Sequence, residues 1–144
     1  MNRFVLDAQM MIRAFRQQRE AERYWDFLSA STVYLCSVVA QELLSGARDD
    51  EMRRLRREFL EPFENLKRLA TPTHRGWSDA GLILRQLRRG GFAITPAFTN
   101  DVLIAVSAAE IGATLVHDNS RDFTAIKRYF PRLKDTVGWP AKAA

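Results

Sequence analysis

Acidic side chains recur in this sequence at positions where an α/β protein could gather them into one site. Four positions stand out, with two polar neighbours close to the last of them: Asp7, Glu42, Asp101 and Asp122, then Asn119 and Asp118. Carboxylates that converge without Lys or Arg between them repel one another, and a divalent cation would relieve that cost. Because such an ion can activate water for attack on a phosphate diester, the pattern predicts metal-dependent phosphodiester hydrolysis.

Each acidic residue also has a structural interpretation that needs no metal. Asp7 could cap the helix that follows the first strand, and Asp122 could cap a later one. Asp101 would be favoured by the helix dipole in a first helical turn. Glu42 could be an ordinary surface residue. The joint pattern, more than any single position, favours a metal site.

The strands that would position these residues are short and apolar. The runs at 3–7, 33–36 and 114–116 predict strands, and weaker signals at 66–70 and 133–137 predict two more. Helical spacing of apolar residues fills most of the chain between them. Strands that alternate with helices indicate the α/β class, with a mostly parallel central sheet of about four to five short strands flanked by helices.

Two helices should bring the remaining acidic residues to the edge where the strands end. The first, at 38–47, carries Glu42. The second is predicted to begin at Thr99 or Asn100, which puts Asp101 in its first turn. Ligands of open α/β sheets bind beyond the carboxyl ends of the strands, so this edge is the expected site.

The other segments complete one compact unit. Residues 49–66 predict a long amphipathic helix, and Pro62 should kink or split it. The chain has 144 residues and shows no repeat or low-complexity linker. We therefore predict a single domain over residues 1–144, with about 138–144 as a flexible tail.

The composition narrows the class of protein further. The net charge of +5 favours a polyanionic partner such as RNA or DNA. Cys36 is the single cysteine, so no intrachain disulfide is possible and a reducing compartment fits. No apolar run approaches the ~18 residues of a membrane span, and the N-terminus lacks a signal-peptide pattern. These features predict a cytoplasmic protein with no membrane association.

Four short motifs occur in a characteristic order and spacing. They are Phe4-Val5-Leu6-Asp7, the stretch from Ser37 to Gly46 that contains Glu42, Asn100-Asp101-Val102-Leu103-Ile104-Ala105, and the stretch from Thr114 to Phe123. Together they resemble the PIN-domain ribonucleases, specifically the VapC-type toxins of VapBC toxin–antitoxin pairs. Each motif alone is weak, but four in register are fairly specific.

The resemblance implies a fold, an activity and partners. It implies a three-layer PIN-like domain and an endoribonuclease that uses Mg²⁺ or Mn²⁺ and cleaves structured RNA, often tRNA or rRNA. By the same resemblance, metal-binding and catalytic roles carry over to Asp7, Glu42, Asp101 and Asp122, and Asn119 matches a further metal position. Family members usually form homodimers and are neutralised by a small antitoxin, so both are expected here.

The chain departs from the family pattern at two places. The family usually has Thr or Ser and then Asn after its first Asp, whereas this chain has Ala8 and Gln9, so a hydroxyl of the metal shell is missing. His117 replaces a common Thr and is interpreted as a structural histidine, although it could contact a phosphate. Asp118 is an extra acid, interpreted as a solvated neighbour.

These departures leave two alternatives open. The first is a PIN-like domain that has lost catalysis and binds RNA or protein. It would bind RNA with a steep salt dependence that a chelator does not change. The second is a housekeeping nuclease of RNA processing that has no antitoxin.

Overall fold

A sheet of five short parallel strands lies at the centre of the fold. The structure is a computed structural model, and it describes residues 2–141. The strands are β1 (Arg3–Leu6), β2 (Thr32–Cys36), β3 (Leu69–Ala70), β4 (Ala113–His117) and β5 (Lys134–Val137). Their order across the sheet is β3-β2-β1-β4-β5, and each neighbouring pair is parallel. The predicted α/β class is confirmed, and the described sheet is parallel throughout.

Helices flank this sheet and connect its strands. In residues 2–141 they are α1 (Ala8–Arg16), α2 (Gln18–Ala30), α3 (Ser37–Gly46), α4 (Met52–Arg54), α5 (Glu61–Asn65), α6 (His74–Arg89), α7 (Pro96–Glu110) and α8 (Ser120–Tyr129). Helix α7 is the most buried of them, with an unbroken run of buried residues at 102–108, and it contacts β2, β4, α3, α6 and α8. None of these helices is long and apolar enough to cross a membrane.

Helix α7 begins earlier than the sequence pattern predicted. Thr95 caps it by accepting a backbone hydrogen bond of 3.1 Å. Pro96 occupies the first turn, where its missing N–H needs no partner. The predicted start at Thr99 or Asn100 is therefore wrong. Asp101 lies in the second turn, so the first-turn dipole does not explain its presence.

The long amphipathic helix predicted after α3 is continuous but irregular. It begins as a 3-10 turn at Asp49–Glu51, passes through α4, becomes a π-helix over Leu55–Leu60 and ends as α5. Pro62 lies in the first turn of α5, so it does not split the helix, and the disturbance is a change from π-helix to α-helix just before it. Phe59 of the π-helix stacks on Tyr24 of α2, with ring centroids 5.0 Å apart.

The end of the described chain packs against the domain. The indole N–H of Trp139 donates to a carboxylate oxygen of Glu20 at 3.0 Å. Gly138 adopts a φ of 74°, which glycine tolerates best, and its N–H donates to the backbone of β4 at 2.7 Å. The predicted flexible tail at 138–144 therefore does not hold for its first two residues. Residues 142–144 lie outside the described part of the chain.

Candidate metal and active site

An acidic cluster forms at the edge where the strands end, and we use that name for Asp7, Glu42, Asp101 and Asp122. Asp7 directly follows β1, and Asp122 lies in the first turn of α8, just after β4. Glu42 lies on α3, and Asp101 lies on α7. The pKa of Asp101 is raised first by burial and then by the charges of the other three members, so all four lie within electrostatic reach. The structure thus brings the four principal candidates together.

Asp7 is the most buried member of the acidic cluster, at 3% exposure. It occupies the N-cap position of α1, but its side chain makes no capping hydrogen bond. Burial raises the pKa of its carboxyl, although the Ala8 N–H and the charge of Arg13 act in the opposite direction. The interpretation of Asp7 as a helix cap is therefore not supported.

Glu42 and Asp101 are both held in surroundings that disfavour a negative charge. Burial, followed by the charge of Asp7, raises the pKa of Glu42 to about 7. Burial and its three acidic neighbours raise the pKa of Asp101 to about 8. Oε1 of Glu42 is buried, and no residue of the described chain forms a hydrogen bond with it. An orphaned carboxylate oxygen beside like charges is a group that a bound cation would satisfy.

The donor set fits a hard divalent ion such as Mg²⁺ or Mn²⁺, since every member of the acidic cluster offers carboxylate oxygen. In residues 2–141, no three His, Cys, Asp or Glu side chains converge closely enough to hold a metal by themselves. Magnesium usually takes one or two carboxylates directly and keeps several waters. A loose carboxylate set therefore suits it better than it suits zinc, which prefers a closed tetrahedral cage.

Asn119 is occupied by a reciprocal contact with Asp122. Its Oδ1 accepts a hydrogen bond from the Asp122 backbone N–H at 3.4 Å, and its Nδ2 donates to Asp122 Oδ2 at 3.0 Å. Asn119 is thus the N-cap of α8. The interpretation of Asp122 as the cap of that helix is therefore wrong. The contact orients the Asp122 carboxylate. Metal binding by Asn119 itself stays a prediction.

His117 is fully buried and has a structural role. The Asn119 backbone N–H donates to Nδ1 at 3.1 Å, so Nε2 carries the proton and donates to Asp135 at 2.8 Å. The same aspartate accepts a hydrogen bond from Lys127 at 2.9 Å, and the imidazole ring lies 4.4 Å from the ring of Phe123. We call His117, Asp135 and Lys127 the His117 network. Since both ring nitrogens are used, the structure supports the structural interpretation over a phosphate contact.

Arg13 is the candidate that sequence reasoning missed. Its Nη1 donates to Asp118 at 2.7 Å, and its Nη2 lies 3.5 Å from Oε1 of Gln9. Asp118 is therefore ion-paired with Arg13, and its side chain is 48% exposed, which agrees with its interpretation as a solvated neighbour. Ala8 is buried at 5% exposure and offers no hydroxyl. Gln9 and Arg13 are four residues apart on a predicted helix, so their spacing already indicated that they share one helical face.

Comparison with known protein families assigns the chain to one family. Residues 4–129 match the PIN domain. This match spans the whole acidic cluster and most of the chain, so the protein belongs to the PIN domain family.

Solved structures with the same fold include components of three bacterial complexes. VapBC from Salmonella typhimurium, in a DNA-bound crystal structure, has a chain 24% identical at a TM-score of 0.73, and the alignment covers 97% of this chain and 100% of that chain. VapBC2 from Rickettsia felis, bound to a promoter DNA fragment, has a chain 22% identical at a TM-score of 0.67, with 94% and 98% coverage. FitAcB from Neisseria gonorrhoeae has a chain 18% identical at a TM-score of 0.69, with 96% and 99% coverage. At these identities the likeness concerns the fold.

Proposed function

We propose that this protein is a metal-dependent endoribonuclease that hydrolyses phosphodiester bonds in structured RNA such as tRNA or rRNA. The observation that carries the proposal is the acidic cluster. It gathers four carboxylates at one edge of the sheet, and in residues 2–141 none of them forms an ion pair. A protein that holds like charges together without a cation of its own is suited to bind one. Membership of the PIN domain family supports a nuclease.

Each residue of the site has a role in this proposal. Asp7, Glu42 and Asp101 would hold Mg²⁺ or Mn²⁺, and Asp122 would add a carboxylate that Asn119 orients. A bound ion would lower the pKa of its water and offset negative charge on the reacting phosphate. Arg13 lies at the rim, where its guanidinium can bind a phosphate oxygen of the substrate.

We further propose that the protein is the toxin of a type II toxin–antitoxin pair. The solved complexes that share its fold support a cognate antitoxin as partner, because they are VapBC and FitAcB assemblies. A homodimer is proposed on the family resemblance. Large apolar side chains are available on the surface for such contacts, namely Trp25, Leu66, Leu69, Trp77, Leu82 and Val137.

A PIN-like module that binds RNA or protein without cleaving it is the second candidate function. The observation that favours it is Ala8, which is buried beside Asp7 and supplies no hydroxyl to a metal shell. A weaker metal site could leave the fold and the basic surface intact while cleavage is lost.

The first test is cleavage of a pool of total tRNA and rRNA by the purified protein, with Mg²⁺, with Mn²⁺ and with EDTA. We expect discrete fragments with either metal and none with EDTA. The Asp101→Asn variant should reduce cleavage by about 100-fold or more, because it removes a central carboxylate of the cluster.

The matched control is Asp50→Asn, which removes the same charge from a side chain that is 78% exposed and paired with Arg48. It should cleave like the wild type. No cleavage with either metal, together with RNA binding that EDTA does not change, would contradict the nuclease and favour the binding module. Cleavage without growth inhibition on expression would favour a housekeeping nuclease over a toxin.

A further inference from the structure

A groove of about 790 Å³ lies beside α8. Its lining combines basic, small and aromatic side chains, namely Phe92, Arg121, Thr124, Ala125, Lys127, Arg128 and Asp135. Arg121, which lines the groove, lies in the first turn of α8 directly before Asp122, so the groove includes the end of the helix at which the acidic cluster lies. A polymer cleaved at the cluster could therefore continue into this groove.

One face of α8 forms the floor of the groove. Arg121, Thr124, Ala125 and Arg128 follow one another at the i, i+3, i+4, i+7 spacing of a single helical face. Arg121 and Arg128 are about 10 Å apart along the helix axis. Small residues separate the two guanidinium groups, so a chain can lie across the face and meet positive charge at both ends.

The two arginines of this groove form no ion pair with residues 2–141. Arg121 is exposed and forms no hydrogen bond or ion pair with residues 2–141, while Arg128 lies 5.7 Å from the ring of its neighbour Tyr129. The single acid of the lining, Asp135, is engaged by Lys127 at 2.9 Å and by His117 at 2.8 Å. The groove thus presents to an anionic ligand two arginines that no acid of the described residues neutralises.

Phe92 adds an aromatic surface to this basic groove. It follows α6, is partly exposed and stacks on Phe98, with ring centroids 6.2 Å apart. Aromatic rings beside arginines bind single-stranded nucleic acid, because the bases stack while the cations hold the phosphates. An acidic peptide would use the arginines but not the ring.

From these features we infer that the α8 groove is a binding track for the single-stranded RNA that flanks the cleaved phosphate. Arg121 and Arg128 bind successive parts of the backbone, and Phe92 stacks a base. The inference rests on the proposed nuclease function, because it assigns the groove to the substrate of the acidic cluster. It goes beyond that function by naming the residues that select a single-stranded segment.

The test measures RNA binding separately from cleavage. Fluorescence anisotropy with a labelled single-stranded 12-nucleotide RNA, in EDTA, compares the wild type with the double variant Arg121→Gln/Arg128→Gln. We expect affinity to fall by at least about 10-fold near 0.1 M salt. The slope of log affinity against log salt should fall by about 1.4, the value for two lost phosphate contacts on a single strand.

The matched control is Arg53→Gln/Arg57→Gln, which removes the same two charges from exposed positions elsewhere on the surface. It should change affinity by less than about two-fold. Phe92→Leu keeps an apolar side chain but loses the stacking face, and should weaken binding by about five-fold with an unchanged salt slope. Circular dichroism confirms that each variant is folded.

Two further measurements separate this inference from the proposed function. Hydrolysis of bis(p-nitrophenyl) phosphate with Mn²⁺ reports on the acidic cluster alone, since this ester is too short to be cleaved at the cluster and also extend along α8 as far as Arg128. The groove variants should retain it, whereas a wild type that binds RNA through the groove but fails to hydrolyse the ester would contradict only the nuclease. Equal losses from both double variants would overturn the groove assignment. If the groove variants keep RNA binding but lose binding of a heptaglutamate peptide, that result would also overturn the assignment. It would assign the groove to an acidic protein segment instead.

Discussion

Two polar clusters lie at the ends of neighbouring strands and are built on opposite principles. Asp7 follows β1, and His117 ends β4, its immediate neighbour in the sheet. In the His117 network both ring nitrogens and both carboxylate oxygens of Asp135 have partners. In the acidic cluster Oε1 of Glu42 has no partner among the described residues. A satisfied buried network stabilises a fold, whereas an unsatisfied one costs stability unless it binds something.

This contrast distinguishes polar residues that stabilise the fold from those that we propose to be functional, without reference to any relative. Burial acts to raise the pKa of Asp135, but the hydrogen bonds and charges of His117 and Lys127 together lower it. Burial and like charges instead raise the pKa values of Glu42 and Asp101. Strongly perturbed carboxylates without a cation partner indicate a functional site, so the two clusters should respond in opposite ways to mutation, pH and metal.

Removal of the imidazole should have the largest effect on stability. His117→Ala opens a cavity against Phe123 and leaves the Asn119 N–H and Oδ2 of Asp135 without a partner, so we expect a loss of about 2–4 kcal/mol in the free energy of unfolding. Urea titration measures it. If that variant does not fold, Asp135→Asn offers a milder test with a loss of the same sign. Metal affinity should stay within a few-fold of the wild type, and a large drop would mean that the two clusters are one site.

Asp101→Asn should weaken metal binding without destabilising the metal-free protein, which is the reverse of the effect expected for His117→Ala. It removes like-charge repulsion, so the metal-free protein should be at least as stable as the wild type. Its stabilisation by Mn²⁺, which for the wild type should reach about 2.7 kcal/mol at a metal concentration 100 times the Kd, should be lost. Thermal unfolding with and without Mn²⁺ checks both parts. A metal-free variant that is clearly less stable would show that Asp101 has a structural role.

The stability of the metal-free protein should also fall as pH rises. The folded-state pKa values are about 7 for Glu42 and about 8 for Asp101, and both lie above the values of unfolded carboxyls. The folded protein therefore binds more protons than the unfolded chain between about pH 4 and pH 8, and stability decreases across that window. Melting temperatures at pH 5 and pH 8 in EDTA measure the change. Asp101→Asn should flatten it and Asp50→Asn should not, while a melting temperature that rises with pH in the wild type would contradict the pKa assignments.

Local apolar patterns predicted the strands, and the alternation of strands with helices predicted a mostly parallel sheet. The convergence of the four acidic residues was predicted because ligands of open α/β sheets bind beyond the carboxyl ends of the strands. The start of α7 was missed although its signal was present, since Thr95 before Pro96 is a cap followed by a favoured first residue. The His117–Asp135 contact could not be predicted, because it depends on the pairing of β4 with β5. The packing of Trp139 on α2 likewise joins residues that are 119 positions apart, and no local pattern reports such a contact.

The smallest expected effect is at the rim of the site, where Asp118 and Arg13 form an ion pair between side chains that are 48% and 33% exposed. Exposed pairs contribute little, so Asp118→Asn should change the free energy of unfolding by less than about 0.5 kcal/mol, or about 2 °C in melting temperature. If Arg13 binds the substrate phosphate, this variant frees the guanidinium and should lower KM for RNA, and Arg13→Gln should raise it. The double variant Asp118→Asn/Arg13→Gln isolates the contribution of the ion pair to the free energy of unfolding and to KM. If Asp118→Asn changes KM for RNA by the same factor in the wild type and in Arg13→Gln, the effect does not depend on Arg13 and comes only from the lost negative charge.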